Sequence, residues 1–112
     1  MISSDIIRGH LDAIILKLII EKDRYGYEIS KEISSRTDNT FEIKEATLYA
    51  VFQRLEKNEY IVSYSGQITH GRKRKYYKVT ESGQAYFKEK FKEWQTTKEI
   101  IDMLMEVKNE KN

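Results

Sequence analysis

The sequence predicts a mainly α domain of the α+β class, in which three helices precede a β-hairpin and one long helix follows it. Three observations lead to this prediction. Apolar residues recur at helical spacing in four segments, the spacing changes to alternation between residues 61 and 79, and the chain contains no proline. At 112 residues the chain is long enough for a single domain with its own hydrophobic core.

The first helix is predicted over residues 5–21, with Ser4 or Asp5 as its N-terminal cap. Its core-facing residues recur at steps of three and four: Ile7, Leu11, Ile14, Ile15 and Leu18. Four more apolar residues lie off that stripe: Ile6, Ala13, Ile19 and Ile20. The helix therefore has more apolar surface than one core requires, and this surplus predicts a partner.

The second helix is predicted roughly over residues 27–36 and ends at TDNT (37–40), a turn cluster whose side chains bond to the backbone. FEIK (41–44) is either a brief strand or an extended lead-in to the third helix. That helix is predicted over about 45–58, and the acidic Glu45 suits the positive end of its dipole.

Two segments, IVSYSG and KYYKVT, are rich in β-branched and aromatic residues and predict an antiparallel hairpin over 61–79. Gly66 and Gly71 bracket its tip. Tyr76 and Tyr77 are adjacent, so one should pack inward while the other faces out.

The last helix is predicted to begin at Thr80 or Ser82 and to continue to about Val107. Its apolar residues recur at steps of three to seven: Phe87, Phe91, Trp94, Ile101 and Leu104. Residues 1–80 thus form a three-helix and hairpin domain, and residues 81–112 form a C-terminal helix that packs as one unit with helix 5–21.

Composition excludes several classes of function. The chain has no cysteine and only two histidines, sixty residues apart, so thiolate chemistry is excluded and a zinc or histidine-based catalytic site is not expected. No glycine-rich loop suits a phosphate cofactor, and we expect neither cofactor, metal nor enzymatic activity. No signal or membrane-spanning pattern is present, so the prediction is a cytoplasmic protein without membrane contact.

The outward face of the third helix suits the major groove of DNA. Ala46 and Ala50 keep this face slim, while Thr47 and Gln53 offer hydrogen-bonding groups and nearby cations can reach phosphates. The DNA-contact candidates on this helix are Lys44, Ala46, Thr47, Tyr49, Ala50, Gln53, Arg54 and Lys57. An alanine-rich helix with a solvated polar face has the same pattern, and the helix alone does not decide between the two interpretations.

The hairpin favours the DNA interpretation. The segment THGRKRKYYK (69–78) contains four consecutive cations and no acid, although the net charge of the whole chain is only +2. Adjacent like charges repel each other, so they suit a wing that lies along the DNA backbone or minor groove better than a stabilising loop. The order of elements is then that of a winged helix-turn-helix, with wing candidates His70, Gly71, Arg72, Lys73, Arg74 and Lys75. His70 either contacts a phosphate or is a neutral loop residue.

The segments ATLYAVFQRLEKNEYI and GRKRKYYKVTESG together resemble the PadR family of bacterial transcriptional regulators. The shared pattern is a T-L-Y run, then R-L-E, then a wing with G-R-x-R-K-Y-Y, and finally T-x-x-G at the start of the last helix. YGYEI (25–29) resembles the pattern of the family's second helix. The resemblance spans essentially the whole chain, and its short C-terminal part is similar to the branch with a single long last helix.

This resemblance implies a homodimeric repressor that binds double-stranded operator DNA and dimerises through helices 5–21 and 81–107. Members of the family sense phenolic compounds or other toxic small molecules, and some control multidrug-efflux genes. Drug-responsive members place a tryptophan of the last helix at the dimer centre, where a planar aromatic effector can stack. The ligand candidates implied here are Ile6, Gly9, Asp12, Ala13, Phe91, Trp94 and Lys98.

Two alternatives remain open at this stage. The aromatic stripe Phe87, Phe91 and Trp94 either forms a ligand platform or only packs a dimer interface. Lys98 places a cation where related proteins can carry an acid, so a preference for cationic drugs does not carry over. The whole domain is either a DNA-binding repressor or a winged-helix module for protein interaction, and steeply salt-dependent duplex binding would distinguish them.

Overall fold

The computed structural model describes residues 7–69 and 71–106, with residues 67–69 and 72 described by their backbone alone. Four helices and a three-stranded antiparallel sheet make up these residues, which confirms the predicted α+β class. The elements in chain order are α1 (Leu11–Glu21), β1 (Arg24–Tyr25), α2 (Gly26–Arg36), α3 (Glu45–Lys57), β2 (Ile61–Thr69), β3 (Arg72–Val79) and α4 (Glu81–Met105).

The first helix differs from the continuous helix predicted over 5–21. Residues 7 and 8 are helical, Gly9 and His10 form a turn, and α1 begins only at Leu11. The turn is closed by the His10 amide, which donates to the Ile7 carbonyl at 2.7 Å. Glycine favours such a break because it lowers helix propensity. The expected cap at Ser4 or Asp5 lies outside the described residues.

The core lies between α1, α2, α3 and the sheet. Ile19 was expected on a surplus apolar face but is buried, and Ile20 packs against the core, so much of the apolar surface of α1 is used within the chain. Phe52 of α3 stacks on Tyr77 of β3 with ring centroids 4.0 Å apart, which fixes the third helix against the hairpin. The buried residues are Leu11, Ile15, Leu16, Leu18, Ile19, Ile29, Ile33, Ile43, Leu48, Val51, Phe52, Leu55, Ile61 and Tyr77.

The hairpin of β2 and β3, called the wing below, lies within the predicted range 61–79, and β3 is the central strand because β1 pairs with its other edge. Strand β1 was not predicted from the sequence. Gly66 lies in β2 beside a register shift between Ser65 and Ile68, so the expectation that it brackets the tip is wrong. A Cβ atom there would lie 2.2 Å from the Tyr76 ring, so any other residue at this position would require the ring to move. Gly71 is the turn residue, with φ of +76°.

The long helix α4 is fixed at its start and exposed along the rest of its length. Thr80 is the N-cap: its hydroxyl accepts a bond from the Gly83 amide at 3.0 Å and donates to the Glu59 carbonyl at 2.7 Å. Tyr86 and Phe87 pack against the core, and from Phe91 onward the helix is exposed. None of the helices within 7–69 and 71–106 has the length and apolarity needed to cross a membrane.

Candidate nucleic-acid interface

Helix α3 presents a continuous outward face opposite its core residues. Ala46, Tyr49, Gln53 and Lys57 are exposed on it and Ala50 is half-buried, as expected from their spacing of three and four. Lys44 is exposed just before the helix, and Thr47 is half-buried towards one edge. The structure therefore places most of the α3 candidates on one surface.

Tyr49 connects this face to the start of α2. Its ring packs edge-on against Phe52 at 5.4 Å between centroids, while 44% of the residue remains exposed. A Cβ atom at Gly26 would lie 2.8 Å from the Tyr49 hydroxyl, so glycine lets the two helices approach at this point. Glycine at position 26 thus leaves room for the Tyr49 hydroxyl beside the start of α2.

Arg54 lies on another side of α3 and is bound to α1. Its Nε and Nη2 atoms donate to the two carboxylate oxygens of Asp12 at 3.1 and 2.6 Å. This hydrogen bonding by Asp12 raises the pKa of Arg54 above its ordinary value. The structure thus joins a predicted DNA-contact residue to a predicted ligand residue. The two parallel hydrogen bonds form the bidentate arrangement that is common in guanidinium–carboxylate pairs.

The wing carries its cations along β3 and not at its tip. Successive strand residues point to opposite faces, so Lys73 and Lys75 share the face of Tyr77, and Arg74 lies on the other face. The Lys75 ammonium lies 5.6 Å from the centroid of the Tyr77 ring. The side chains of two more wing candidates are not placed, because only the backbone of Arg72 is described and His70 lies outside the described residues.

Arg74 belongs to a cluster of tyrosines that the sequence-based candidates missed. Its guanidinium lies 4.7 Å above the Tyr25 ring, and its Nε is buried without a hydrogen-bond partner among the described residues. The Tyr25 ring also contacts Tyr76 edge-on at 5.3 Å, and Tyr76 stacks on Tyr64 at 5.7 Å. The cluster contains four of the eight tyrosines: Tyr25, Tyr27, Tyr64 and Tyr76. The abundance of tyrosine was the feature of the sequence that could have indicated this cluster.

The outer end of the tyrosine cluster is tied to the loop before β1. The Tyr64 hydroxyl donates to Asp23 Oδ2 at 2.6 Å, and this hydrogen bond raises the pKa of Tyr64 to about 12. This hydrogen bond joins the wing to the α1–β1 connection.

A groove of about 870 Å³ separates α3 from the wing and ends at α2. Its walls are hydroxyl-bearing aromatic rings and basic side chains, with an aliphatic floor. The lining residues are Tyr25, Gly26, Tyr27, Ser30, Ile43, Glu45, Leu48, Tyr49, Lys73, Arg74, Lys75 and Tyr77. Hydroxyl and amine donors of this kind are the usual partners of nucleic-acid phosphates.

The predicted ligand residues lie away from this groove, where α1 meets α4. Trp94 packs its ring edge-on against His10 at 4.9 Å, and Phe91 stacks on Phe87 at 5.9 Å. Trp94 and Phe91 are 40% and 47% exposed, and Lys98 is exposed further along α4. Ala13 is half-buried, and Gly9 adjoins open space. Ile6 lies outside the described residues. No group of three or more metal-ligating side chains occurs within the described ranges.

Comparison with known proteins decides the family. The model of the transcriptional regulator PadR-like family matches residues 15–89, which is more than half of the chain. The chain belongs to the PadR-like family. It is 53% identical to the solved structure of a transcriptional regulator from Clostridium thermocellum, which covers 95% of this chain and 100% of that one with a TM-score of 0.87.

Two further relatives agree with this assignment. A PadR family transcription regulator from Clostridium difficile is 34% identical, with 87% of this chain and 99% of that one covered and a TM-score of 0.74. An uncharacterized protein of Lysinibacillus sphaericus is 68% identical over 106 residues, which are 95% of this chain and 97% of that protein. PadR-like proteins are DNA-binding transcriptional regulators and not enzymes, so this chain is a DNA-binding regulator with the winged-helix fold.

The PadR-like match also separates the two sets of candidates. All DNA-contact candidates lie within residues 15–89. All ligand candidates lie outside it: Ile6, Gly9, Asp12 and Ala13 precede the matched segment, and Phe91, Trp94 and Lys98 follow it. The family model thus covers the candidate nucleic-acid interface and stops short of the candidate ligand site.

Proposed function

We propose that this PadR-like protein is a homodimeric repressor that binds operator DNA through α3 and the wing and is released by a small planar aromatic ligand. The observation that carries the proposal is the slim exposed face of α3 beside a strand with cations on both of its faces. The major groove of B-DNA, about 12 Å wide, admits such a helix, and the adjacent cations of the wing can contact DNA phosphates. Because operator DNA is chromosomal, we place the protein in the cytoplasm.

Dimer formation is supported by the apolar surface of α4. Leu104 and Met105 are more than three-quarters exposed, and Ile100 and Ile101 are 46% exposed in the single chain. A helix that leaves a stripe of this kind uncovered requires a partner, and a second copy of α4 with the adjoining residues of α1 supplies one. In such a two-fold dimer, half-sites would lie about 34 Å apart, one turn of the duplex.

Ligand release is supported by the position of Trp94. Its partly exposed ring lies beside His10, and a two-fold axis near α4 would bring the same ring from the partner copy close to it. Two such rings can hold a flat aromatic compound by stacking. A ligand releases DNA only if it binds the free arrangement of the dimer more tightly than the DNA-bound arrangement.

Reversal of charge tests the DNA part of the proposal. Lys57→Glu, Arg72→Glu and Arg74→Glu together should abolish binding to duplex DNA in a fluorescence anisotropy titration, while sedimentation still shows a dimer. If the triple variant bound duplex as tightly as the parent protein, the assignment of α3 and the wing would be wrong.

The ligand part of the proposal is tested by Trp94 fluorescence against a panel of phenolics, planar dyes and cationic drugs. Absence of saturable quenching would leave Trp94 as a packing residue.

A further inference from the structure

The hydrogen bond from the Tyr64 hydroxyl of β2 to Asp23 Oδ2, 2.6 Å long, joins the wing to a residue 41 positions earlier in the chain. We propose that Asp23 is a positioning residue for DNA binding. Through Tyr64 it holds the wing in the orientation in which the cations of β3 meet DNA beside α3. The inference rests on the proposed function, because it takes α3 and the wing as the DNA-binding surface. Neither Asp23 nor Tyr64 was a DNA-contact candidate from sequence.

The outer part of the wing requires support from the rest of the chain, because an isolated two-stranded hairpin is at best marginally stable in water. The base of the wing is fixed in the core, where Ile61 and Tyr77 are buried. Strand β1 supports the edge of β3 at two residues, and this pairing ends at Tyr76. The cations at 73–75 lie beyond that point. Their position therefore depends on contacts made further out along the wing.

Tyr64 lies close to the end of the regular part of the hairpin. It pairs with Tyr76, and the two rings stack with their centroids 5.7 Å apart. After the next pair, Ser65 with Lys75, the register shifts. Such an irregularity disrupts the ladder locally and increases its twist. A contact at Tyr64 therefore fixes the hairpin just before it becomes irregular, where a small change in direction moves the outer part most.

Asp23 is a firm attachment point because the chain is fixed on both sides of it. Helix α1 ends two residues earlier, at Glu21, and Arg24 follows directly. Arg24 is buried, and its Nε donates to the Leu18 carbonyl at 2.8 Å while its Nη2 donates to Glu21 Oε1 at 3.0 Å. One side chain thus ties the start of β1 back to the last turn of α1, which limits the movement of the residue between them.

Contacts within the tyrosine cluster extend this constraint to a cation of the wing. The Tyr76 ring, which stacks on Tyr64, contacts the Tyr25 ring edge-on at 5.3 Å. The Arg74 guanidinium lies 4.7 Å from the centroid of that Tyr25 ring. Tyr25 belongs to β1, two residues after Asp23. The segment from Asp23 to Tyr25 therefore holds the wing at two points, one on each strand.

The charge of Asp23 acts against DNA binding, and this separates positioning from electrostatics. Removal of a carboxylate near DNA phosphates by itself strengthens binding. Loss of the hydrogen bond has the opposite effect, because a wing that samples other orientations must be ordered when DNA binds. A variant that loses both the charge and the bond therefore shows which of the two effects dominates.

Fluorescence anisotropy titrations with a short duplex of random sequence test the inference. Asp23→Ala and Asp23→Asn remove the same charge, but the asparagine carbonyl oxygen can still accept from the Tyr64 hydroxyl. We expect Asp23→Ala to bind about two- to tenfold more weakly than Asp23→Asn, the range for ordering one additional side chain on binding. Tyr64→Phe keeps the aromatic ring and should weaken binding by a similar factor relative to the parent protein. Asp38→Asn, at an exposed acid in the turn after α2, is the charge-matched control and should not weaken binding.

Two further measurements distinguish positioning from direct contact with DNA. The slope of log K against log salt should be the same for Tyr64→Phe and the parent protein, because the phenol neutralises no phosphate. In the free protein, the heteronuclear NOE of the backbone amides at 73–75 should fall in Tyr64→Phe and in Asp23→Ala but not in Asp23→Asn. Unchanged thermal unfolding of the variants ensures that these changes reflect the wing and not loss of the fold.

The outcomes separate this inference from the proposed function. If Tyr64→Phe binds duplex like the parent protein, or if Asp23→Ala binds as tightly as Asp23→Asn, the positioning role is wrong. If Lys57→Gln and Lys75→Gln still weaken binding in that case, the DNA role of α3 and the wing stands. If those two lysine variants also bind like the parent protein, both assignments are wrong.

Discussion

Asp12 of α1 and Arg54 of α3 form a two-point ion pair, with Arg54 Nη2 to Asp12 Oδ1 at 2.6 Å and Arg54 Nε to Asp12 Oδ2 at 3.1 Å. The pair directly links the helix proposed to enter DNA to the helix proposed to line the effector site. While this ion pair is formed, the Arg54 guanidinium is directed towards α1. Arg54 therefore has a positioning role in the free protein, which its place in the sequence did not reveal.

We expect Asp12→Asn to have two measurable effects. Loss of this partly exposed pair should lower the free energy of unfolding by up to about 1 kcal/mol in a urea titration. The freed Arg54 should add a phosphate contact, so the slope of log K against log salt should steepen by about 0.9. Arg54→Gln should show the stability loss without the steeper slope. If Arg54→Gln instead made the slope shallower, Arg54 would contact phosphate despite Asp12.

Gly83 allows α4 to start against the β2 side of the fold. A Cβ atom at this position would lie 2.1 Å from the Tyr60 carbonyl oxygen. Gly83→Ala should therefore destabilise the protein by about 1–3 kcal/mol, as overpacking does, measured by chemical denaturation. Gly9→Ala is the matched control because a Cβ atom at Gly9 meets nothing within 4 Å. Equal stability of the two variants would contradict the close contact at Tyr60.

Glu21 should give the protein a distinct loss of stability in acid. Hydrogen bonds from Arg36 and then Lys17 lower the pKa of Glu21 from 4.5 to about 2. Because the folded pKa is the lower one, this contribution is present above pH 4.5 and is lost as the pH falls towards 2. Glu21→Gln should therefore show a smaller drop in unfolding free energy between neutral pH and about pH 3 than the parent protein. Glu99→Gln, on the exposed part of α4, should leave the drop unchanged.

The apolar surface of α4 should control association. Ile101→Lys with Leu104→Lys places two charges on the stripe proposed to meet the second copy, and burial of unpaired charge is costly. We expect sedimentation velocity to show a monomer for this variant and a dimer for the parent protein. Lys92→Gln is the control on the same helix. A double-lysine variant that remained dimeric would place the interface elsewhere.

The sequence predicted the elements whose periodicity is strong and local. The bounds of α3 came within one residue, because Leu48, Val51, Phe52 and Leu55 mark one face so clearly. Strand β1 could not be predicted, because its two residues are extended only through pairing with Tyr76 and Tyr77, some fifty positions later. The turn at Gly9 and His10 was hidden by an apolar pattern that continues through it.

The candidate site was predictable to a similar extent. The exposed face of α3 follows from helical spacing, so most of its DNA-contact candidates lie together. The pairing of Arg54 with Asp12 was not predictable, because it joins residues 42 positions apart. The tyrosine cluster was missed for the same reason, since Tyr25, Tyr64 and Tyr76 come from three separate strands.

The central claim is that α3 and the wing form the DNA-binding surface. Mapping of backbone amide chemical shifts during titration with duplex DNA tests it most directly. We predict the largest changes in residues 45–57 and 61–79, with little change along residues 91–105. Changes concentrated along 91–105, with α3 and the wing unaffected, would contradict the claim.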